Sequence, residues 1–162
     1  MKIGAKGLKA LKIFHILMAI VWIGGSLAMM AVMLLTDVND QSSMLMRAQV
    51  LKVIDDYLII VGAVGCVLTG ILYGLFTNWG FFRHRWITIK WLLTVLMVAM
   101  GIFAMGPCVN ENVTATNLAV YQHNVETTLM WGWIPTVLQI VIIILSVWKP
   151  KLNMDSSISA KI

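Results

Sequence analysis

Charge is what this chain has least of. Only 12% of its 162 residues are Asp, Glu, Lys or Arg, while 60% are hydrophobic. A water-soluble domain of this size carries about twice that share of charge, so this sequence cannot cover a water-facing surface. Cysteine is nearly as scarce. Cys66 and Cys108 stand far apart in apolar sequence, which excludes a disulfide framework. A continuous basic patch is also missing. The net charge of +5 comes from residues gathered at the ends of apolar segments, which excludes nucleic acid as the partner.

What the chain has instead is long apolar runs. A spanning helix needs about 20 mostly apolar residues, and four stretches meet that: Ile13 to Leu35, Tyr57 to Phe76, Trp86 to Cys108 and Leu129 to Trp148. The expected fold is all-α, a single integral membrane four-helix bundle over residues 1–162. Its connections are Thr36 to Asp56, Thr77 to Arg85 and Val109 to Thr128, none of them large enough for a soluble domain. The basic start from Lys2 to Lys12 is similar to the opening of a signal peptide. The apolar run after it is long enough to span, however, and no A-x-A site ends it, so it reads as an uncleaved first helix.

Four spans put both termini on one side, and the cations say which. Lys2, Lys6, Lys9 and Lys12, then Arg83 and Arg85, then Lys149, Lys151 and Lys161 all fall on the side of the termini. The opposite connections carry Asp37, Asp40, Asp55, Asp56, Glu111 and Glu126, with Arg47 and Lys52 as their cations. By the positive-inside rule both termini are cytoplasmic, in a bacterial plasma membrane. The sequence N-V-T at Asn112 matches a glycosylation acceptor, which carries weight only in a eukaryotic secretory context.

Polar residues left inside the spans are the candidates for chemistry, because the helical backbone satisfies itself. On the first helix His15, Ala19, Trp22, Ser26, Met29 and Met33 share one stripe, headed by His15. On the third, Lys90, Thr94, Met97, Gly101, Ala104 and Cys108 do the same, headed by Lys90. The fourth offers Trp131, Pro135, Gln139 and Ser146, with Gln139 the expected buried hydrogen-bonding group. His15 and Lys90 both lie about one turn inside the cytoplasmic boundary at about 1.5 Å per residue, so they can meet at one depth. Tyr73, Arg83, His84 and Arg85 approach the same level. A lysine at that depth can equally snorkel to water, and a histidine can bond a carbonyl or a headgroup.

Two further features stand beside that pair. Gly62, Cys66, Gly70 and Gly74 recur every four residues on the second helix, a small-residue face suited to close packing or to a membrane-protein partner or second copy. Met29, Met33 and other methionines toward the outer side could hold Cu(I) through thioether sulfur, although methionine also fills cores.

The segment L-K-I-F-H-I-L-M-A-I-V-W-I-G-G, Leu11 to Gly25, resembles the first helix of the superfamily that contains the HemJ-type protoporphyrinogen oxidases and the copper resistance protein D membrane domain. W-I-T-I-K-W-L-L, Trp86 to Leu93, and V-W-K-P, Val147 to Pro150, resemble its third and fourth helices. After Trp22 this chain reads I-G-G-S-L-A-M-M-A-V-M, where HemJ-type proteins read L-P-R-L-F-V-Y-H; the G-G is similar to the copper resistance branch and its small relatives. The resemblance implies a compact bundle in which His15 ligates a b-type haem and Lys90 is the essential third-helix lysine. It implies redox or tetrapyrrole-related activity, and Trp22 on the His15 stripe with Arg83 and Arg85 in the adjacent loop are the further residues expected at the cofactor. Copper handling is the alternative. The third reading is a non-catalytic bundle that associates with a partner.

Overall fold

The computed structural model describes residues 4–76 and 85–148. Four helices carry those residues: α1 (Ala5–Leu35), α2 (Gln41–Phe76), α3 (Arg85–Thr114) and α4 (Leu118–Trp148), all long and apolar enough to cross a membrane. At about 1.5 Å per residue each runs about 45 Å or more, well beyond the roughly 30 Å of a hydrocarbon layer. The surplus lies mostly at the end of the bundle away from the termini, here called the far end.

The far end is where the helices outrun the apolar runs in the sequence. The expected connections 36–56 and 109–128 are helical over most of their length, which leaves links of 36–40 and 115–117. Falling hydropathy ends a span but does not end a helix. Between Gln41 and Asp56 there is no Gly or Pro to stop one. Capping residues set the true starts. Asp40 opens α2 with a capping box: the Ser43 amide donates to Asp40 Oδ1 at 2.8 Å, and Ser43 Oγ lies 3.2 Å from the Asp40 amide. At the start of α4 the Ala119 amide donates to Asn117 Oδ1 at 2.8 Å. Asn112, the N-V-T asparagine, is 3% exposed inside this end, so its amide is not open to a modifying enzyme.

Glycine sets the distance between α1 and α2. A Cβ on Gly62 would lie 2.6 Å from the Trp22 amide nitrogen and 2.7 Å from its Cα, closer than side-chain carbons come to a backbone. Gly65 lies as tightly against Met18, and Gly25 of α1 in turn receives Leu58 and Ile59 of α2. Leu58 and Ile59 belong to a π-helical stretch, Asp55–Ile60, and α3 has a second one at Gly101–Met105. The wider turn lets each helix change its facing between two packing layers. α1 packs between α2 and α4, α3 packs against α4, and the far segment of α2 lies against that of α3.

The core has two layers. Toward the middle, Trp22, Cys66 and Met97 pack together, with Leu138 and Ile142 of α4 against them. At the far end Met29, Met33, Met44, Leu51, Tyr121 and Val125 form a second cluster. An Arg47 clasp closes it. Arg47 Nε donates to the Tyr121 hydroxyl at 2.6 Å and Nη1 to the Thr36 carbonyl at 2.7 Å, which joins α2, α4 and the end of α1.

Two outcomes check this account. Gly62→Ala is expected to cost about 3 kcal/mol through overpacking against backbone, while Gly24→Ala, with nothing within 4 Å, should gain up to about 1 kcal/mol of helix propensity. Thermal unfolding in detergent, followed by circular dichroism, reads both. The Ser43 hydrogen bonds also hold the Asp40 carboxyl below its usual range. A depressed carboxylate stabilises the fold above its unfolded pKa, and that contribution is lost as pH falls through the lower folded value. Far-end stability should therefore drop on acidification below about pH 4, and Asp40→Asn should flatten that dependence.

Candidate functional site

At the end of the bundle where α1 begins and α4 ends, each helix contributes a polar side chain to the interior. His15 comes from α1, Thr69 from α2, Lys90 from α3 and Ser146 from α4. They meet in two pairs. His15 Nδ1 lies 2.6 Å from Thr69 Oγ1, and Lys90 Nζ donates to Ser146 Oγ at 2.8 Å. Both pairs lie at this same end of the bundle.

The hydrogen-bond partners of Thr69 favour one tautomer of the histidine. Thr69 is 2% exposed, and its hydroxyl has a single proton. The Gly65 carbonyl at 2.7 Å takes that proton, with the Cys66 carbonyl at 3.1 Å beside it. Thr69 Oγ1 can then only accept from the ring. In the tautomer that matches this arrangement Nδ1 of His15 carries the hydrogen, and Nε2 of a neutral ring keeps its lone pair. Histidines that bind metals are oriented in this way, by a partner on the nitrogen that does not ligate. The Tyr73 ring stands edge-on to the imidazole at 6.0 Å between centroids, 85° between planes, and limits its rotation.

Cations and aromatics border the pair. Lys90 Nζ lies 5.7 Å from the centre of the Trp86 ring. Ser146, which receives the Lys90 proton donor, passes its own proton to the Ile142 carbonyl at 2.6 Å, so it is oriented as an acceptor. Arg85 opens α3 and is exposed at the same end. Arg83, the other arginine expected at a cofactor, lies outside the described residues, as does His84.

The remaining sequence candidates fall elsewhere. Trp22 is 8% exposed and sits in the middle core layer with Cys66 and Met97, its backbone under Gly62. It packs in the layer next to the His15 and Thr69 pair. The small-residue face of α2 is used within the chain: Gly62 faces α1, Cys66 is buried, and Gly70 lies beneath the Trp91 ring, which a Cβ would meet at 3.2 Å. Met29, Met33 and Met44 are all buried in the far cluster among hydrocarbon side chains. Among the described residues, no group of three His, Cys, Asp or Glu side chains gathers at one point, and a single-histidine haem site needs none.

Thr69 is the residue that the spacing argument missed. Steps of four along a helix advance 400°, so a series such as 62, 66, 70, 74 drifts by about 40° per step away from its starting face. The buried face of α2 instead runs Gly62, Gly65, Cys66 and Thr69, toward half-buried Tyr73, in mixed steps of three and four. That pattern was present in the sequence and would have included Thr69.

Comparison with protein-family models, with characterised proteins and with solved structures finds no match to this chain. The chemistry of the site rests on its own geometry.

Removing the acceptor on Thr69 should release the histidine. Thr69→Val is expected to move His15 toward the Nε2-protonated tautomer, read from the ¹⁵N shifts of the imidazole in detergent, whereas Thr69→Ser should leave them in place. Unchanged shifts in the valine variant would mean that some other group sets the ring.

Proposed function

We propose that this protein is a bilayer-spanning bundle with both termini on the cytoplasmic side of a bacterial plasma membrane, and that it holds one b-type haem through Nε2 of His15. The observation that carries the haem reading is the Thr69 hydrogen bond on Nδ1, which leaves Nε2 of a half-buried imidazole available as a ligand. The membrane reading rests on the outward surface. Ile13, Leu17, Leu92, Val95 and Val137 are each at least half exposed, and so large an apolar surface is stable against lipid chains and not against water. Lys6, Lys9, Lys12 and Arg85 at the terminal end favour the cytoplasm for that end.

The donor set suits the group. Neutral imidazole is a common axial ligand, and Lys90 and Arg85 offer positive charge for carboxylates such as propionates. Attachment would be non-covalent, since neither cysteine stands in a C-x-x-C-H sequence. A bound haem would supply one-electron chemistry. The chain's own part is then to hold the ring nitrogen, to exclude water through the Trp22, Cys66 and Met97 layer, and to hold Lys90 Nζ at hydrogen-bond distance from Ser146. Lys90 is the group placed to hand a proton to a tetrapyrrole or a reduced partner.

The test is the absorption spectrum of protein purified in mild detergent from cells supplied with haem, oxidised and then dithionite-reduced, with metal analysis of the same sample. The expected result is a Soret band at one haem per chain that His15→Ala removes. Lys90→Met should keep the haem and lower its midpoint potential, because a lost positive charge favours the oxidised form. Haem retained in full by His15→Ala would end the ligand assignment. Stoichiometric copper in place of haem, lost from a Met29/Met33 double variant, would favour copper handling instead.

A further inference from the structure

The face of α4 that turns into the bundle carries a series of polar residues between Asn124 and Gln139, interleaved with Val125 and Pro135, although its outward face is apolar. Asn124, Thr128, Thr136 and Gln139 are each 5% exposed or less. Most of them are satisfied. Asn124 Nδ2 donates to Glu111 Oε2 at 3.0 Å and to Asn112 Oδ1 at 3.1 Å; Thr128 and Thr136 donate to the carbonyls one turn back, at 2.7 and 2.8 Å. Gln139 is not. Its Nε2 donates to Ser26 Oγ at 3.3 Å, while its Oε1 is buried without a hydrogen-bond partner among the described residues. Turning the amide over does not help, because one end must still face away from Ser26. A buried amide oxygen left bare costs about 1–3 kcal/mol, so such an atom normally holds a water.

The neighbouring turns provide room and further acceptors. Gly132 lies on the face of Thr128 and Thr136, one turn from each, and a Cβ there would meet nothing within 4 Å. Pro135 has no N–H, so the Trp131 carbonyl lacks its helical donor beside that open space. Together these groups run from exposed Glu111 at the far end to Gln139. Beyond Gln139 the interior turns apolar, because Trp22, Cys66 and Met97, with Leu138 and Ile142, close it off from Lys90 and His15.

We propose that this face is a water-lined half-path, open at the Glu111 end, that ends at a water held by the Gln139 carbonyl oxygen in the middle of the bundle. Its ligand is water, and with it the protons that water carries. The inner layer makes it a half-path and not a pore. It delivers water to the apolar layer that separates it from the His15 site. Nothing in this assignment depends on haem, so it stands or falls separately from the proposal above.

Silver ion, small enough to follow water and reactive with thiols, is the probe. In proteoliposomes of a Cys66→Ala/Cys108→Ala background, Thr136→Cys should be blocked by Ag⁺ at least about tenfold faster than Met97→Cys, since thiol reactivity follows solvent access. Gly132→Cys, placed where there is open space, serves if the Thr136 variant does not fold. Equal, slow rates at positions 132, 136 and 97 would overturn the path. Gln139→Met tests its end. If a water occupies Oε1, the methionine variant loses that hydrogen bond and melts lower than wild type. If the oxygen is truly bare, it melts higher, and the proposal is wrong.

Discussion

The approach of α1 and α2 to backbone contact at Gly62 governs the rest of the bundle. With the Trp22 backbone directly over a residue that lacks a Cβ, the two helices sit closer than any side chain would permit. Thr69 lies seven residues beyond Gly62, and His15 seven residues before Trp22. Both are two turns along the same pair of faces. A short interhelical distance at Gly62 is what lets a threonine as small as Thr69 reach the imidazole at 2.6 Å. A larger residue at 62 would part the helices and leave the half-buried His15 ring without its Thr69 partner.

That contact also divides the interior. Its level is occupied by Trp22, Cys66 and Met97, an apolar layer with polar groups on both sides. On the side of the termini stand His15, Thr69, Lys90 and Ser146. On the other stand Ser26, Gln139 and Thr136, followed by the asparagine pair and Glu111. A polar group in a low-dielectric interior must find a partner or cost the fold stability, and nearly all of these do so across helices or on the carbonyl one turn back. The pairing therefore fixes helix rotation as well as providing chemistry. The Arg47 clasp does the same at the far end, where a charged fork reaches both a buried tyrosine hydroxyl and the carbonyl that ends α1.

Much of this was legible in the residues themselves. The number of helices followed from apolar length, and the α1 stripe of His15, Trp22, Ser26, Met29 and Met33 does turn inward, because mixed steps of three and four track one face. On α4 the same reasoning placed Pro135 and Gln139 inside but also Trp131, which is 46% exposed. On α2 the strict four-residue repeat pointed slightly aside from the true buried face and passed over Thr69. The helices run further at the far side than their hydropathy indicates, since hydropathy marks where lipid could end and not where hydrogen bonding ends. Arg47 looked like a loop cation because its partner lies 74 residues away.

The sequence by itself determined how many helices there are, which residues bear charge and at which end, and that His15 and Lys90 share a depth; these follow from composition and from the fixed rise of a helix. Only the tertiary structure decided what each polar group meets. It paired His15 with Thr69 and Lys90 with Ser146, left one oxygen of Gln139 without a partner among the described residues, and used the glycine face of α2 inside the chain. Those outcomes depend on helix rotation and separation to within a few tenths of an ångström, and that is set by the sum of contacts along four helices and not by any local run of residues.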